Sequence, residues 1–194
     1  GRRRLDRKWK PPIGGIWFSL IIHPKFDISS STLVPIAGAV ALSKSIKSIL
    51  GIETSVKWPN DITVNGKKVA GMLVDASFQA NNIEYLILGI GINFDIDERK
   101  LGKKLKSSSN FYGVSSLRER NDKTPPKLLL KEFLLQFEKV LSQLNKGEKS
   151  KIVKEWMKRT DSLGKKIVIN TSEGKISGIS QGIDTDGALK LKSS

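Results

Sequence analysis

The chain has 194 residues with 34 basic and 19 acidic side chains, a formal charge of +15, and 38% apolar residues, enough for one good-sized domain plus a small one. It has no cysteine and one histidine, which excludes disulfides, cysteine-ligated metal and histidine-rich zinc sites and fits a cytoplasmic protein. No apolar run approaches the ~20 residues of a membrane span, so no membrane partner is expected, and the charge calls for an anionic partner or a solvated basic surface.

Gly1 to Trp9 reads as a charged loop, because Arg2, Arg3, Arg4, Arg7 and Lys8 cannot be packed in a core without partners. No apolar segment of a secretory leader follows it. Pro11-Pro12 and Gly14-Gly15 break regular structure. Ile16 to Ile22 is nearly continuous apolar and predicts a strand buried on both faces. Residues 31–50 predict a helix capped by Ser30, Ser31 or Thr32, with Pro35 in its first turn and Gly51 just past its end.

A strand-like run, Glu53 to Val56, leads into Lys57-Trp58-Pro59-Asn60-Asp61. The Asn65-Gly66 turn then predicts a hairpin pairing Ile62-Thr63-Val64 with Lys68 to Asp75. The turn fixes Lys68 beside the Asn60-Asp61 corner. A lysine next to a carboxylate and an amide is one way to bind an anion, and also a common surface arrangement. After a turn at Asn81-Asn82, Ile83 to Ile90 predicts a buried strand running into Gly89-Ile90-Gly91-Ile92-Asn93. Glycines inside a strand mark close approach of another group to the backbone.

Lys100 to Asn110 reads as a surface loop. Thr124-Pro125-Pro126 opens the most regular helix, with Thr124 as cap, Pro125 at the first position, and a stripe of Leu130, Phe133, Leu134, Phe137, Leu141 and Leu144 at 3- and 4-residue steps. Gly147 ends it, and a shorter helix over 149–159 carries Trp156. Beyond Asp161 the period changes. Short runs at 166–170, 175–180 and 188–191, separated by Ser172-Glu173-Gly174 and Asp184-Thr185-Asp186-Gly187, predict a small β-barrel or its opening strands.

The glycines at 89 and 91 are not a dinucleotide fingerprint, and there is no P-loop. The Arg2–Arg4 cluster can clamp a phosphate or be a basic terminus. No nucleophile–base pair is visible, and turn formation accounts for Asp184 and Asp186.

Taken in order, the Arg-rich loop ending in Arg7-Lys8-Trp9, Gly14-Gly15-Ile16-Trp17-Phe18-Ser19, Lys57-Trp58-Pro59-Asn60-Asp61, Lys68-Val69-Ala70-Gly71, Gly89-Ile90-Gly91-Ile92-Asn93 and Asp186-Gly187-Ala188-Leu189 resemble the biotin protein ligase family. The resemblance covers essentially the whole chain. It implies an α+β fold: a mixed β-sheet with helices on one face, as in class II synthetases, over residues 1–160, then a small SH3-like barrel over 161–194. It also implies formation of biotinyl-5′-AMP from biotin and ATP with Mg²⁺, and transfer of biotin to a lysine of a biotin carboxyl carrier domain.

By the same resemblance, Lys68 and Arg4 are the catalytic cations, Lys68 contacting the biotin carboxylate and the α-phosphate. Arg2, Arg3 and Arg4 occupy the biotin- and adenylate-binding loop, Trp9 lies over the nucleotide, and Gly14, Gly15 and Gly71 approach biotin. Asn60 and Asp61 hold the phosphate region and Asn93 the nucleotide. Family members are often homodimers. Arg3 and Asp6 stand where the family loop has glycines. The strand and helix that precede this loop in the family, and its last barrel strands, are expected to be missing, and DNA binding is not supported. Two readings stay open beside the ligase: a relative that binds biotin or adenylate without turnover, and a basic nucleic-acid-binding protein.

Overall fold

A computed structural model describes residues 11–79, 82–99, 113–118, 123–171 and 174–193. Arg2, Arg3, Arg4 and Trp9, the expected loop over 100–110, and parts of the turns at Asn81-Asn82 and Ser172-Glu173-Gly174 lie outside the described residues.

Five strands form the main sheet: β1 (Ile16–Ile22), β2 (Ser55–Lys57), β3 (Asp61–Val64), β4 (Lys67–Gln79) and β5 (Asn82–Ile92), in the order β1-β5-β4-β3-β2. Every pairing among them is antiparallel. Among the described residues the parallel pairing is a bridge between Lys68 and Val114. The predicted hairpin turn is present, with Asn65 and Gly66 both at positive φ, 49° and 73°, the backbone that a two-residue turn of this twist requires.

Side chains alternate across the sheet. Leu86, Leu88, Ile90 and Ile92 of β5 and Ala70 and Met72 of β4 are buried on one face, each large one contributing about 1.5–3 kcal/mol. α1 (Val34–Leu50), α2 (Pro126–Asn145) and α3 (Lys149–Met157) are the helices of this layered core. α1 sits so close that a Cβ on Gly38 would lie 2.6 Å from the Met72 sulfur. Phe133 of α2 meets Phe18 of β1 edge-on at 5.7 Å. The intervening residues Ile87, Gly89 and Gly91 of β5 belong to the opposite face.

Several expectations are corrected. β1 is not buried on both faces: Ile21 is 69% exposed, because Trp17, Ser19 and Ile21 belong to the face opposite the helices. α1 follows a 3₁₀ turn (Ile28–Leu33) capped by Asp27, whose carboxylate accepts from Ser30 N and from the Ser29 and Ser30 hydroxyls, so the caps predicted at 30–32 fall inside that turn. Pro125, not Thr124, is the N-cap of α2, and the Thr124 carbonyl instead accepts from Arg118. The buried stripe of α2 is Leu129, Phe133, Phe137, Val140 and Leu144, while Leu134 is 41% exposed. Two adjacent apolar tracks run along this helix, and the one meeting Phe18 is buried. The stretch Ile28–Leu50 is long and apolar enough to cross a membrane by length and composition, contrary to the sequence reading; here it is mostly buried as the central core helix.

Glu155 of α3 holds three cations: Lys44 of α1 at 3.0 Å, Lys158 at 2.8 Å and Arg159 at 3.0 Å. The Lys158 hydrogen bond leads, and with Lys44 and Arg159 it pulls the carboxyl down to about 2 against the opposing effect of burial. A depressed folded-state value stabilises above the unfolded value and is lost as pH falls through the folded one. Glu155→Gln is therefore expected to cost about 2 kcal/mol at pH 7, allowing for partial exposure, and only about 0.4 kcal/mol at pH 2, where the folded carboxyl is half protonated. Urea midpoints at the two pH values check this.

β6 (Lys166–Thr171), β7 (Gly174–Ile183) and β8 (Leu189–Lys192) form a second, three-stranded antiparallel sheet. Its Asp184–Gly187 turn is built as expected, the Asp184 carboxylate accepting from Asp186 N and Ala188 N at 2.9 Å. The turn docks on the first unit. Thr32 donates to Asp186 O at 2.7 Å and Trp58 Nε1 to Gly187 O at 3.0 Å. Gly187 has φ +80°, and a Cβ there would lie 2.6 Å from Ile36 Cδ1. Gly187→Val, strained in backbone and packing, is expected to lower stability by about 2–3 kcal/mol, read as a lower urea midpoint.

Candidate active site

One row of residues crosses the whole main sheet on the face away from the helices. The register pairs Lys57 with Asp61, Asp61 with Gly71, Gly71 with Gly91, and Gly91 with Trp17. Charges stand at one end, glycines form the middle, and an indole closes the other end. Gly89 lies between Ser19 and Leu73 in the row beside it. The glycines leave a bare floor on which a flat apolar ligand can lie against backbone.

Trp17 bounds this floor. A Cβ on Gly91 would lie 2.6 Å from its Cζ3, one on Gly15 would strike the same indole, and its Nε1 donates to Pro12 O at 3.2 Å. Gly14, at φ +92°, accepts from Asp95 N at 2.8 Å and abuts Asp95 so closely that no side chain fits. Gly14 and Gly15 are thus used to admit Asp95 and Trp17 beside the floor.

Lys68 overhangs the opposite end. A Cβ on Gly71 would meet Lys68 Nζ at 2.7 Å and Asp61 Oδ1 at 2.9 Å. Lys68 shares parity with Ala70 and Met72, which face the helices, so simple alternation puts it on the wrong side. A β-bulge resolves this: Thr63 pairs with Lys68 and Ile62 with Ala70, leaving Val69 as the extra residue. Bulges re-aim side chains, and this one brings the Lys68 ammonium over Gly71, where it forms an ion pair with Asp61.

The remaining polar residues hold this lysine's backbone. Asn93, 6% exposed, donates from its side-chain amide to Lys68 O at 3.1 Å, and its own N–H donates to Val69 O at 2.7 Å. Lys68 N donates to Gly113 O at 3.1 Å, and Ser115 N donates to Lys68 O at 2.9 Å. Asn60 clasps β4 through its side-chain amide to Met72 O and its carbonyl from Met72 N; the Trp58-Pro59 peptide before it is cis.

Sequence reasoning missed the segment 113–118. Glu98 accepts from Ser115 Oγ at 2.8 Å and Ser116 N at 2.7 Å. Arg118 lies 5.2 Å from the Phe94 ring centroid and pairs with Asp95 at 2.7 Å. These contacts tie both flanks of the floor together across an intervening stretch, and no local pattern announces them.

Electrostatically the head of the row holds two lysines and one carboxylate. Partial desolvation pulls the Lys57 ammonium below the usual lysine value, Lys68 adds to this, and Asp61 and Asp161 oppose it. Such a head, open toward a bare floor, is suited to an anionic group attached to an apolar body.

The Biotin/lipoate A/B protein ligase family matches residues 1–93 and the Biotin protein ligase C terminal domain matches residues 162–194. The chain is 31% identical to the bifunctional ligase/repressor BirA of Bacillus spizizenii, over 99% of this chain and 58% of that protein. It is 28% identical to the biotin–[acetyl-CoA-carboxylase] ligase of Paracoccus denitrificans, over 99% of this chain and 80% of that one. The solved structure of the biotin protein ligase from Aquifex aeolicus in complex with biotin and ATP superposes with a TM-score of 0.74, at 28% identity, covering 98% of this chain and 77% of that one. The fold is that of the biotin and lipoate protein ligase class. Within it, the C-terminal domain that the chain matches and the relatives that it resembles are those of biotin protein ligases.

Proposed function

We propose that this chain is the catalytic and C-terminal part of an ATP-dependent biotin–protein ligase. It forms biotinyl-5′-AMP and passes biotin to a lysine of a biotin carboxyl carrier domain. The observation that carries this reading is the cross-sheet row from Trp17 to Lys57 with Lys68 above Gly71. The apolar sulfur-containing ring and aliphatic chain of biotin suit the glycine floor and the Trp17 indole, and its carboxylate then points toward Lys68.

In the first step a carboxylate oxygen attacks the α-phosphorus of ATP, and the bond to pyrophosphate breaks. Two anions must meet, and Lys68 is placed to neutralise both and to stabilise charge on the phosphoryl oxygens. In the second, the carrier's lysine amine attacks the acyl carbon, AMP leaves, and a proton is released; no protein nucleophile is required. Asn93 and Asn60 hold the strand carrying Lys68, while Arg2, Arg3, Arg4 and Trp9 are proposed to cover the adenylate. Mg²⁺ would accompany ATP and neutralise charge on its phosphates, with Asn60 and Asp61 bordering that region. A cytoplasmic location, a homodimer, and a division near Asp161 belong to the same reading.

Biotin-dependent exchange of labelled pyrophosphate into ATP tests the first step. Exchange that requires biotin is expected; none, in protein that is folded, overturns the reading.

A further inference from the structure

Lys57 ends the cross-sheet row and stands directly opposite Asp61 in the β2–β3 pairing. Directly opposed residues on antiparallel strands have Cβ atoms about 4.5–5.5 Å apart. Asp61 at the same time holds Lys68 by an ion pair. One carboxylate is therefore paired with Lys68 and stands opposite Lys57 in register, close enough to act on its charge, as does Asp161 at the start of the second unit.

This arrangement matters when substrates arrive. To meet a carboxylate and a phosphate, Lys68 has to loosen its hold on Asp61. Without another cation, Asp61 would stand as a bare anion beside incoming anions, opposing both the release of Lys68 and the approach of ATP. A second lysine removes both obstacles.

We propose that Lys57 is a positioning residue of the active site: it shares the Asp61 carboxylate with Lys68 and so releases the Lys68 ammonium to the substrate anions. The proposal rests on the ligase reading for its consequence, but the three-charge arrangement is measurable without it. Glycines at 71 and 91 keep the row flat, so the charges at its head face the floor without a side chain between them.

The test uses the full chain and its Lys57→Met, Lys57→Gln and Lys57→Arg variants, each checked for an unchanged thermal unfolding midpoint. Trace acetylation with acetic anhydride at fixed pH, followed by peptide mass spectrometry, reads the reactivity of the Lys68 amine. With Asp61 left to Lys68 alone, Lys57→Met and Lys57→Gln are expected to slow acetylation of Lys68 several-fold, and Lys57→Arg to restore the parent rate. In pyrophosphate exchange the neutral variants are expected to lower kcat about tenfold, less than the ~100-fold typical of losing a direct donor, and to raise the KM for ATP more than that for biotin; Lys57→Arg restores all three. Parent-like Lys68 reactivity in the neutral variants, or failure of arginine to restore it, overturns the proposal. A parent chain without exchange would sink the ligase reading alone, since acetylation still decides whether Lys57 releases Lys68.

Discussion

Lys68→Ala is expected to reduce biotin adenylate formation by about 10²–10³-fold, the range seen when one charge-stabilising donor is removed from a preorganised site. Lys68 is the cation that overhangs the glycine floor, and its backbone is tied down by Asn93, Gly113 and Ser115, so no neighbour replaces it without moving a strand. Its ion pair with Asp61 is partly exposed, with 37% of the lysine side chain accessible, and such pairs contribute only ~0–1 kcal/mol. The melting temperature is therefore expected to stay nearly constant while turnover collapses. Rates of pyrophosphate exchange measured beside thermal unfolding separate the two effects. A variant that loses stability and activity together would place Lys68 in the scaffold instead.

Gly91→Val is expected to weaken biotin binding by about 100-fold, roughly 2.7 kcal/mol. The Cβ alone would sit 2.6 Å from Trp17 Cζ3, and the two added methyl groups fill the floor above β5. The indole then has to swing into the slot or the strand has to move, and overpacking of this kind costs about 1–3 kcal/mol. Gly89→Ala is the internal control. Its Cβ would find Leu73 O at 3.6 Å and Ser19 Oγ at 3.8 Å, ordinary contacts, so only a small change in affinity is expected. Calorimetric titration with biotin reads both variants, and equal affinities would show that the floor does not hold the ligand.

Much of this architecture is written locally. Asn65-Gly66 specifies a two-residue turn, and that turn places Lys68 close to Asp61. Glycines at alternate positions of an apolar strand announce close approach, and the partner is Trp17 for Gly91. Turn chemistry at Asp184–Gly187 is equally local. What is not legible arises from pairings distant in sequence. The bulge at Ile62/Thr63 reverses the parity of Lys68, which no period-2 count reveals. Asn93, expected at the nucleotide, spends its amide nitrogen on the Lys68 carbonyl, and Gly14 and Gly15 make room for Asp95 and Trp17. The contact of Trp58 with Gly187 joins residues far apart in the chain. Burial misled in the same way: an apolar β1 reads as covered on both sides, yet only the face carrying Phe18 meets a helix.

Activation of biotin by a lysine over a glycine floor is tested most directly by incorporation of labelled biotin, with ATP, into a biotin carrier domain, run beside Lys68→Ala. Labelling of the carrier by the parent chain that disappears in the variant is the predicted result. Retention of biotin by the folded parent chain with no labelling of the carrier would contradict transfer, and labelling undiminished in Lys68→Ala would contradict the role given to that lysine.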